Sequence, residues 1–235
     1  KIADQHADLL LVGDSLGMVL YGMDSTLPVS LEMMINHAKA VVKSSNKALV
    51  VVDMPFATYQ KKPSQAFLNA AEIIKQSGAT AVKVEGGEYM FDTIKFLTER
   101  GIAVMAHIGL TPQSVNQFGG YGARGAEAKI KKHINADAAS VEKAGAFAVV
   151  IEGVKQDVVI STNKKINIPT IGIGADVTCD GQILVAEDLL GFTDKAPKFV
   201  KKYANLNEDM NKAIATYAKE VSAQKFPSKE YIYCQ

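Results

Sequence analysis

Three acids, a lysine and a histidine in this chain stand where strand-like runs end, and their types are those of a metal site or an acid–base centre. Asp14 follows Leu9-Leu-Leu-Val12-Gly13, Asp53 follows Leu49-Val-Val-Val52, and Glu85 closes Val82-Lys-Val84. Carboxylates gathered on one rim repel each other unless a cation joins them. With four histidines and no cysteine cluster, the fitting cation is a hard, oxygen-preferring one such as Mg²⁺. The alternative is that each acid only caps the helix that follows it. Three acids directly after apolar strands favour metal binding or catalysis. Lys83 lies two residues before Glu85, so the two share one face of an extended chain. A buried lysine needs an anion, either Glu85 as a structural ion pair or a substrate carboxylate. His107 ends Val104-Met-Ala106 as the acids end their runs, and Glu152 ends Val149-Val-Ile151. Ser15, beside Asp14, offers a hydroxyl and an N–H to a ligand, or caps a turn.

Bringing these residues to one rim takes parallel strands with their C-terminal ends together. Apolar runs predict strands at 8–14, 48–53, 79–85, 102–107, 146–152 and 169–174, with a last one at 182–185. Apolar stripes predict helices at 31–43, 65–76, 89–99, 127–143 and 154–164, and an amphipathic one at 205–223. Ser30 and Ser64 read as helix caps, and Gly78 and Gly101 as stops. His37 falls on an apolar stripe and reads as packing. Residues 16–27 and 59–63 read as loops. So does 111–125, whose Gly119, Gly120, Gly122 and Gly125 suit a lid or a plain flexible loop. Gly172-Ile-Gly174 receives a phosphate or lets a loop turn closely at the rim.

The run from Gly78 to Gly86 matches that from Gly145 to Gly153 at six of nine positions, as two copies of one βα unit would. Seven strands joined by helices predict a (β/α)₈ TIM barrel whose first strand is absent from this chain. Lys1 to His6 read as the end of a helix, so residues before Lys1 are expected to be missing. The domain reading is one barrel over 1–235 with a helical extension at about 205–235. An open doubly wound sheet suits the acids less well, because they end most strands rather than gathering at one switch point.

Bulk composition narrows the function. The chain has 235 residues, 48% of them hydrophobic, enough for one large α/β core. Its 26 basic and 25 acidic side chains nearly cancel, which argues against nucleic acid or an anionic membrane as partner. Two cysteines make neither a disulfide framework nor a thiolate zinc site, and they fit a reducing cytoplasm. No apolar run approaches the roughly 20 residues of a membrane span, and no signal peptide is legible.

Val12-Gly-Asp-Ser-Leu-Gly-Met-Val19, Asp24-Ser-Thr-Leu-Pro-Val29, Asp53-Met-Pro-Phe56, Lys83-Val-Glu-Gly-Gly87, Gly109-Leu-Thr-Pro-Gln-Ser-Val115 and Cys179-Asp-Gly-Gln-Ile-Leu-Val185, in that order, resemble the ketopantoate hydroxymethyltransferase family. The likeness runs from about Leu9 to Tyr203 and continues faintly to Phe226-Pro227. It implies a barrel of the phosphoenolpyruvate/pyruvate-binding type. It implies transfer of a hydroxymethyl group from 5,10-methylenetetrahydrofolate to 3-methyl-2-oxobutanoate, in pantothenate synthesis, with Mg²⁺. It implies that Asp14, Asp53 and Glu85 belong to the metal site, directly or through water. Asp14, Ser15, Asp53 and Lys83 fall at positions around the 2-oxo acid, His107 at a substrate-side histidine and Glu152 at the proton acceptor. A cytoplasmic homodecamer of two pentamer rings is implied as well. The family's usual Gly-Ile-Gly-Ala-Gly is here Gly172-Ile-Gly-Ala-Asp176, which leaves the shape of that loop open.

The residues fit this chemistry. C–C bond formation at C3 of a 2-oxo acid begins with loss of a proton, a task for a carboxylate not engaged by the metal, and Glu152 is that acid. An Mg²⁺-dependent lyase or mutase of the same superfamily is the enzyme alternative. Such enzymes often use a loop cysteine, and neither Cys179 nor Cys234 lies in such a loop. A catalytically inert barrel would have lost some of the matched acids, and all are present.

Overall fold

Six of the seven apolar runs form strands where expected, and the last strand is shorter and earlier than the 182–185 run, covering only Gly181–Gln182. The computed structural model describes residues 1–118, 128–193 and 196–233, with 117, 118 and 128 as backbone only. The strands are β1 (Leu9–Val12), β2 (Leu49–Asp53), β3 (Ala81–Glu85), β4 (Ala103–Gly109), β5 (Ala148–Glu152), β6 (Thr170–Ile173) and β7 (Gly181–Gln182). The helices are α1 (Leu16–Val19), α2 (Leu31–Ser44), α3 (Pro63–Ser77), α4 (Phe91–Thr98), α5 (Val115–Phe118), α6 (Ala128–Lys143), α7 (Gln156–Asn163), α8 (Ala186–Leu189) and α9 (Leu206–Ser222). A 3₁₀ turn, Pro112–Ser114, precedes α5.

All strand pairs are parallel, and the spatial order β1-β2-β3-β4-β5-β6-β7 follows the chain. A doubly wound sheet reverses its order at a switch point. This one never does, which is the winding of a curled, TIM-barrel-like sheet. β1 and β7 are the two ends of the order.

The period of two along each strand sorts side chains into two sets. Val50, Val52, Val82, Val84, Val104, Ala106, Val149 and Ile151 pack with the helices. Val51, Ala81, Met105, Ala148 and Val150 form a separate cluster with Leu9, Leu11, Leu49 and Ile171 on the concave face. Asp4, in a 3₁₀ turn rather than the expected helix end, anchors the entry to β2: its carboxylate accepts from the N–H groups of Asn46, Lys47 and Ala48 at 3.0, 3.1 and 2.8 Å.

Ser30 caps α2, its hydroxyl accepting from Met33 N at 3.2 Å, an interaction that contributes about 1 kcal/mol. Ser64 does not cap α3. Pro63 occupies the first turn, where its fixed φ suits the helix and its missing N–H needs no partner, so no side-chain cap forms. Gly78 ends α3 at φ 76° as expected. The 16–27 stretch is not wholly loop. α1 forms there despite Gly17, because a Cβ on Gly17 would press within 2.6 Å of Val29 Cγ2 and glycine allows the close approach. His37 accepts or donates a 3.0 Å hydrogen bond with Tyr21 Oη and stacks edge-on against its ring, consistent with packing.

The chain divides into two units, Lys1–Ile183 with all seven strands and Leu184–Gln235 with α8 and α9. Within the second unit the Tyr217 and Phe226 rings meet edge-on at 5.4 Å. Among the described residues, no helix is long and apolar enough to cross a membrane. The glycine-rich 119–125 stretch and Cys234 lie outside the described residues.

Candidate active site

The concave face changes character along its length. Its lower part is the apolar cluster of Val51, Ala81, Met105 and Val150. Two residues further along each strand, on the same face, stand Asp53, Lys83, His107 and Glu152, with Glu85 two beyond Lys83. Strand alternation alone therefore puts a polar layer at the C-terminal rim, where barrels keep their chemistry. Asp14 joins it from the turn after β1. Asp14, Asp53, Lys83, Glu85 and His107 each expose 4% or less, so every charge in the layer depends on its neighbours.

Those neighbours form one connected network. Asp14 N–H donates to Asp53 Oδ2 at 3.0 Å, and Asp53 Oδ1 pairs with Lys83 Nζ at 2.9 Å. Lys83 Nζ lies 3.1 Å from His107 Nδ1, and His107 Nε2 lies 3.1 Å from Glu152 Oε2. Glu85 Oε1 is 3.7 Å from His107 Nδ1. An ammonium only donates, so His107 Nδ1 accepts from Lys83 and the ring proton sits on Nε2, the nitrogen nearest Glu152. Burial, and then the Lys83 charge, hold the imidazole below its usual pKa, which keeps it neutral in this tautomer.

Lys83 pairs with Asp53 rather than with Glu85, the partner its own strand suggested. The register sets Lys83 directly opposite Asp53. Cross-strand neighbours are about 4.8 Å apart, whereas residues i and i+2 are about 6.6 Å apart. Burial would pull the ammonium pKa down, but Asp53, Glu85 and Asp14 outweigh it and hold the lysine charged. One cation among three acids leaves excess negative charge. Burial, with the Asp53 charge, pushes Asp14 up to about 7, and burial pushes Glu85 up to about 8.

Desolvated oxygen donors with uncompensated charge are the donor set a hard divalent cation prefers. The residues present therefore fit Mg²⁺. Among the described residues, the trio of acid or histidine ligands within 4.8 Å of one another is a different one, Glu88, His133 and Asp137. Asp14, Asp53 and Glu85 are more widely spaced, which suits a site completed partly through water. In the Glu88 trio, Asp137 Oδ1 already accepts from Glu88 N–H at 2.8 Å, and Glu88 and His133 are exposed.

The structure brings Asp14, Asp53, Lys83, Glu85, His107 and Glu152 together. Ser15 is half-buried beside Asp14 at the start of α1. Asp176, the departure from the family pattern, ties its own turn: its Oδ1 accepts from Thr178 N–H at 3.0 Å and its carbonyl from Gln182 Nε2 at 2.9 Å. It is not part of the polar layer. Two residues of that layer escaped the sequence reading. Tyr59 and Gln113 are buried at its edge, and Gln113 Nε2 donates to Asp14 Oδ2 at 2.8 Å. The one available signal was that Gln113 lies inside the Gly109–Val115 motif, in a segment read as loop.

Comparison with known proteins agrees with the motifs. The model of the family described as ketopantoate hydroxymethyltransferase matches residues 1–229. A Bartonella henselae protein named 3-methyl-2-oxobutanoate hydroxymethyltransferase is 55% identical over 99% of this chain and 85% of its own length. An Erythrobacter litoralis protein of the same name is 52% identical over 99% of this chain and 81% of its own. Among solved structures, a phosphonopyruvate hydrolase superposes with a TM-score of 0.58 at 13% identity, covering 100% of this chain and 82% of that one. A Burkholderia cenocepacia protein assigned as a phosphonomutase gives 0.57 at 16%, covering 94% and 88%. At those identities the likeness speaks for the fold alone, a barrel-like parallel sheet alternating with helices.

Proposed function

The chain belongs to the ketopantoate hydroxymethyltransferase family, and from that premise we propose the reaction it catalyses. A hydroxymethyl group passes from 5,10-methylenetetrahydrofolate to C3 of 3-methyl-2-oxobutanoate, giving 2-dehydropantoate, with water supplying the hydroxyl oxygen. The observation that carries this reading is the buried path Asp53–Lys83–His107–Glu152, which leads from the acids to a carboxylate suited to take a proton.

Asp14, Asp53 and Glu85 would hold Mg²⁺, directly or through water, and the ion supplies Lewis-acid stabilisation of enolate charge when bound. The protein's own groups do the rest. Lys83, with Ser15 beside Asp14, faces the carboxylate end of the oxo acid. Glu152 removes the C3 proton. His107 Nε2 lies 3.1 Å from Glu152 Oε2 and so holds that oxygen close, leaving the other carboxylate oxygen free to accept the proton. Because His107 is neutral, it orients this base without discharging it. The apolar floor of Val51, Met105 and Val150 keeps water from beneath the reacting carbon.

The decisive experiment is exchange of the C3 proton of 3-methyl-2-oxobutanoate into D₂O. Exchange that needs Mg²⁺ but proceeds without folate supports the assignment. Absence of exchange under all conditions, with folded protein, would remove it.

A further inference from the structure

One residue grips the ends of three strands from the loop after the fourth. The Gln113 amide has two donor and two acceptor positions, and all four are used. Nε2 donates to Asp14 Oδ2 at 2.8 Å and to the Met54 carbonyl at 2.9 Å. Oε1 accepts from Tyr59 Oη at 2.7 Å and from Gln60 Nε2 at 3.0 Å. The backbone N–H of the same residue donates to Glu85 Oε2 at 3.0 Å. Tyr59, fully buried, closes the loop by accepting from Glu85 N–H at 3.1 Å. Asp14 follows β1, Met54 follows β2 and Glu85 ends β3, so Gln113 ties three successive strand ends to one another.

We propose that Gln113, backed by Tyr59, is a positioning residue that sets the spacing of Asp14 and Glu85 for a divalent cation. The inference rests on the metal reading above. Lys83 holds Asp53 by charge, which lowers the attraction of that acid for a further cation. Asp14 and Glu85 are held instead by a neutral amide and a backbone N–H. Neutral donors fix a carboxylate oxygen in place without cancelling its charge, so the other oxygen of each acid stays available as a ligand. A lysine or arginine at 113 would hold the same oxygens and neutralise them. The Tyr59 hydroxyl fixes the amide orientation: it gives its one proton to Oε1, which can only accept, and itself accepts from Glu85 N–H. With Oε1 committed, Nε2 faces Asp14. Partners that orient metal ligands typically change metal affinity by about 10- to 100-fold when removed.

The test is Mn²⁺ binding by the full chain, read from the EPR signal of the free aquo ion, without oxo acid or folate. Gln113→Met keeps the side-chain volume and removes every amide contact. It should weaken Mn²⁺ binding by about 10- to 100-fold. The Mg²⁺ concentration for half-maximal C3 proton exchange should rise in parallel, while the rate at saturating Mg²⁺ changes far less. Tyr59→Phe removes one oxygen, leaves the carboxylates untouched and should shift affinity in the same direction by a smaller factor. If Gln113→Met does not fold, Tyr59→Phe decides alone. A parent that binds Mn²⁺ and variants that bind it equally well would overturn the positioning role while leaving the metal reading intact. A folded parent that binds no Mn²⁺ would overturn both.

Discussion

At the scale of single residues, the site is governed by how few positive charges meet its acids. Glu152 is the acid that His107 orients rather than one that shares Lys83. Glu152→Gln retains shape and loses the base. C3 proton exchange should fall by about 10²- to 10⁴-fold, while oxo-acid and Mg²⁺ binding persist in equilibrium titrations. Exchange at the parent rate would pass the role to His107. The crowded acids also predict a pH dependence. Asp14 and Glu85 bind protons more tightly folded than unfolded, with pKa values raised from 3.8 and 4.5 to about 7 and 8. Their contribution therefore favours the metal-free fold at low pH and is lost as pH rises from about 4 towards 8. Asp14→Asn should flatten that part of the slope of Tm against pH. Added Mg²⁺ should raise Tm more at pH 8 than at pH 6, since protons compete for the same oxygens. Equal shifts at both pH values would separate the metal from these acids.

At the scale of elements, one strand end shows how tightly the backbone frames the chemistry. Gly109 closes β4 at φ 93°, and a Cβ there would run into the Glu152 carbonyl and Val154 Cγ2. Leu110 N–H donates to that same carbonyl at 2.9 Å. Gly109→Ala adds a left-handed penalty of roughly 1–2 kcal/mol to that overlap. The variant should be less stable by at least this much in urea titration, and its exchange activity should fall because β4 and β5 can no longer bring His107 and Glu152 within 3.1 Å. Parent stability would mean that the strand end relaxes freely. Gly101, by contrast, has φ 83° but nothing within reach of an added Cβ, so the same substitution there carries only the backbone penalty.

At the scale of the whole molecule, α9 poses the open question. Its stripe of Met210, Ile214, Tyr217 and Val221 is apolar at helical spacing, yet none of its residues is buried, and Ile214 is 68% exposed. Apolar stripes of this length rarely face solvent. The prediction is a homo-oligomer in which this helix is covered by a second copy, in line with the assembly that the resemblance implied. Light scattering at micromolar concentration should report a mass several times that of the 25.2 kDa chain. Ile214→Asp should lower it. A monomer in solution would refute the assembly.

What could be read from the sequence was whatever has a short period or a local cause. Runs such as Leu49 to Val52 announced strands, their order announced a parallel barrel-like sheet, and polar residues at their ends announced a rim. Alternation by two put Lys83 and Glu85 on one face, and the strand ends put Asp53, His107 and Glu152 on the same rim. Pairing was not legible. Lys83 chooses Asp53 over Glu85 because of the β2–β3 register, and register is a relation between strands that neither strand encodes alone. Tyr59 and Gln113 lie in segments with no period, and the bond from Gln113 to Asp14 spans 99 residues. Only closing the chain brings those two together, and a buried carboxylate then takes whichever donor the fold delivers to it.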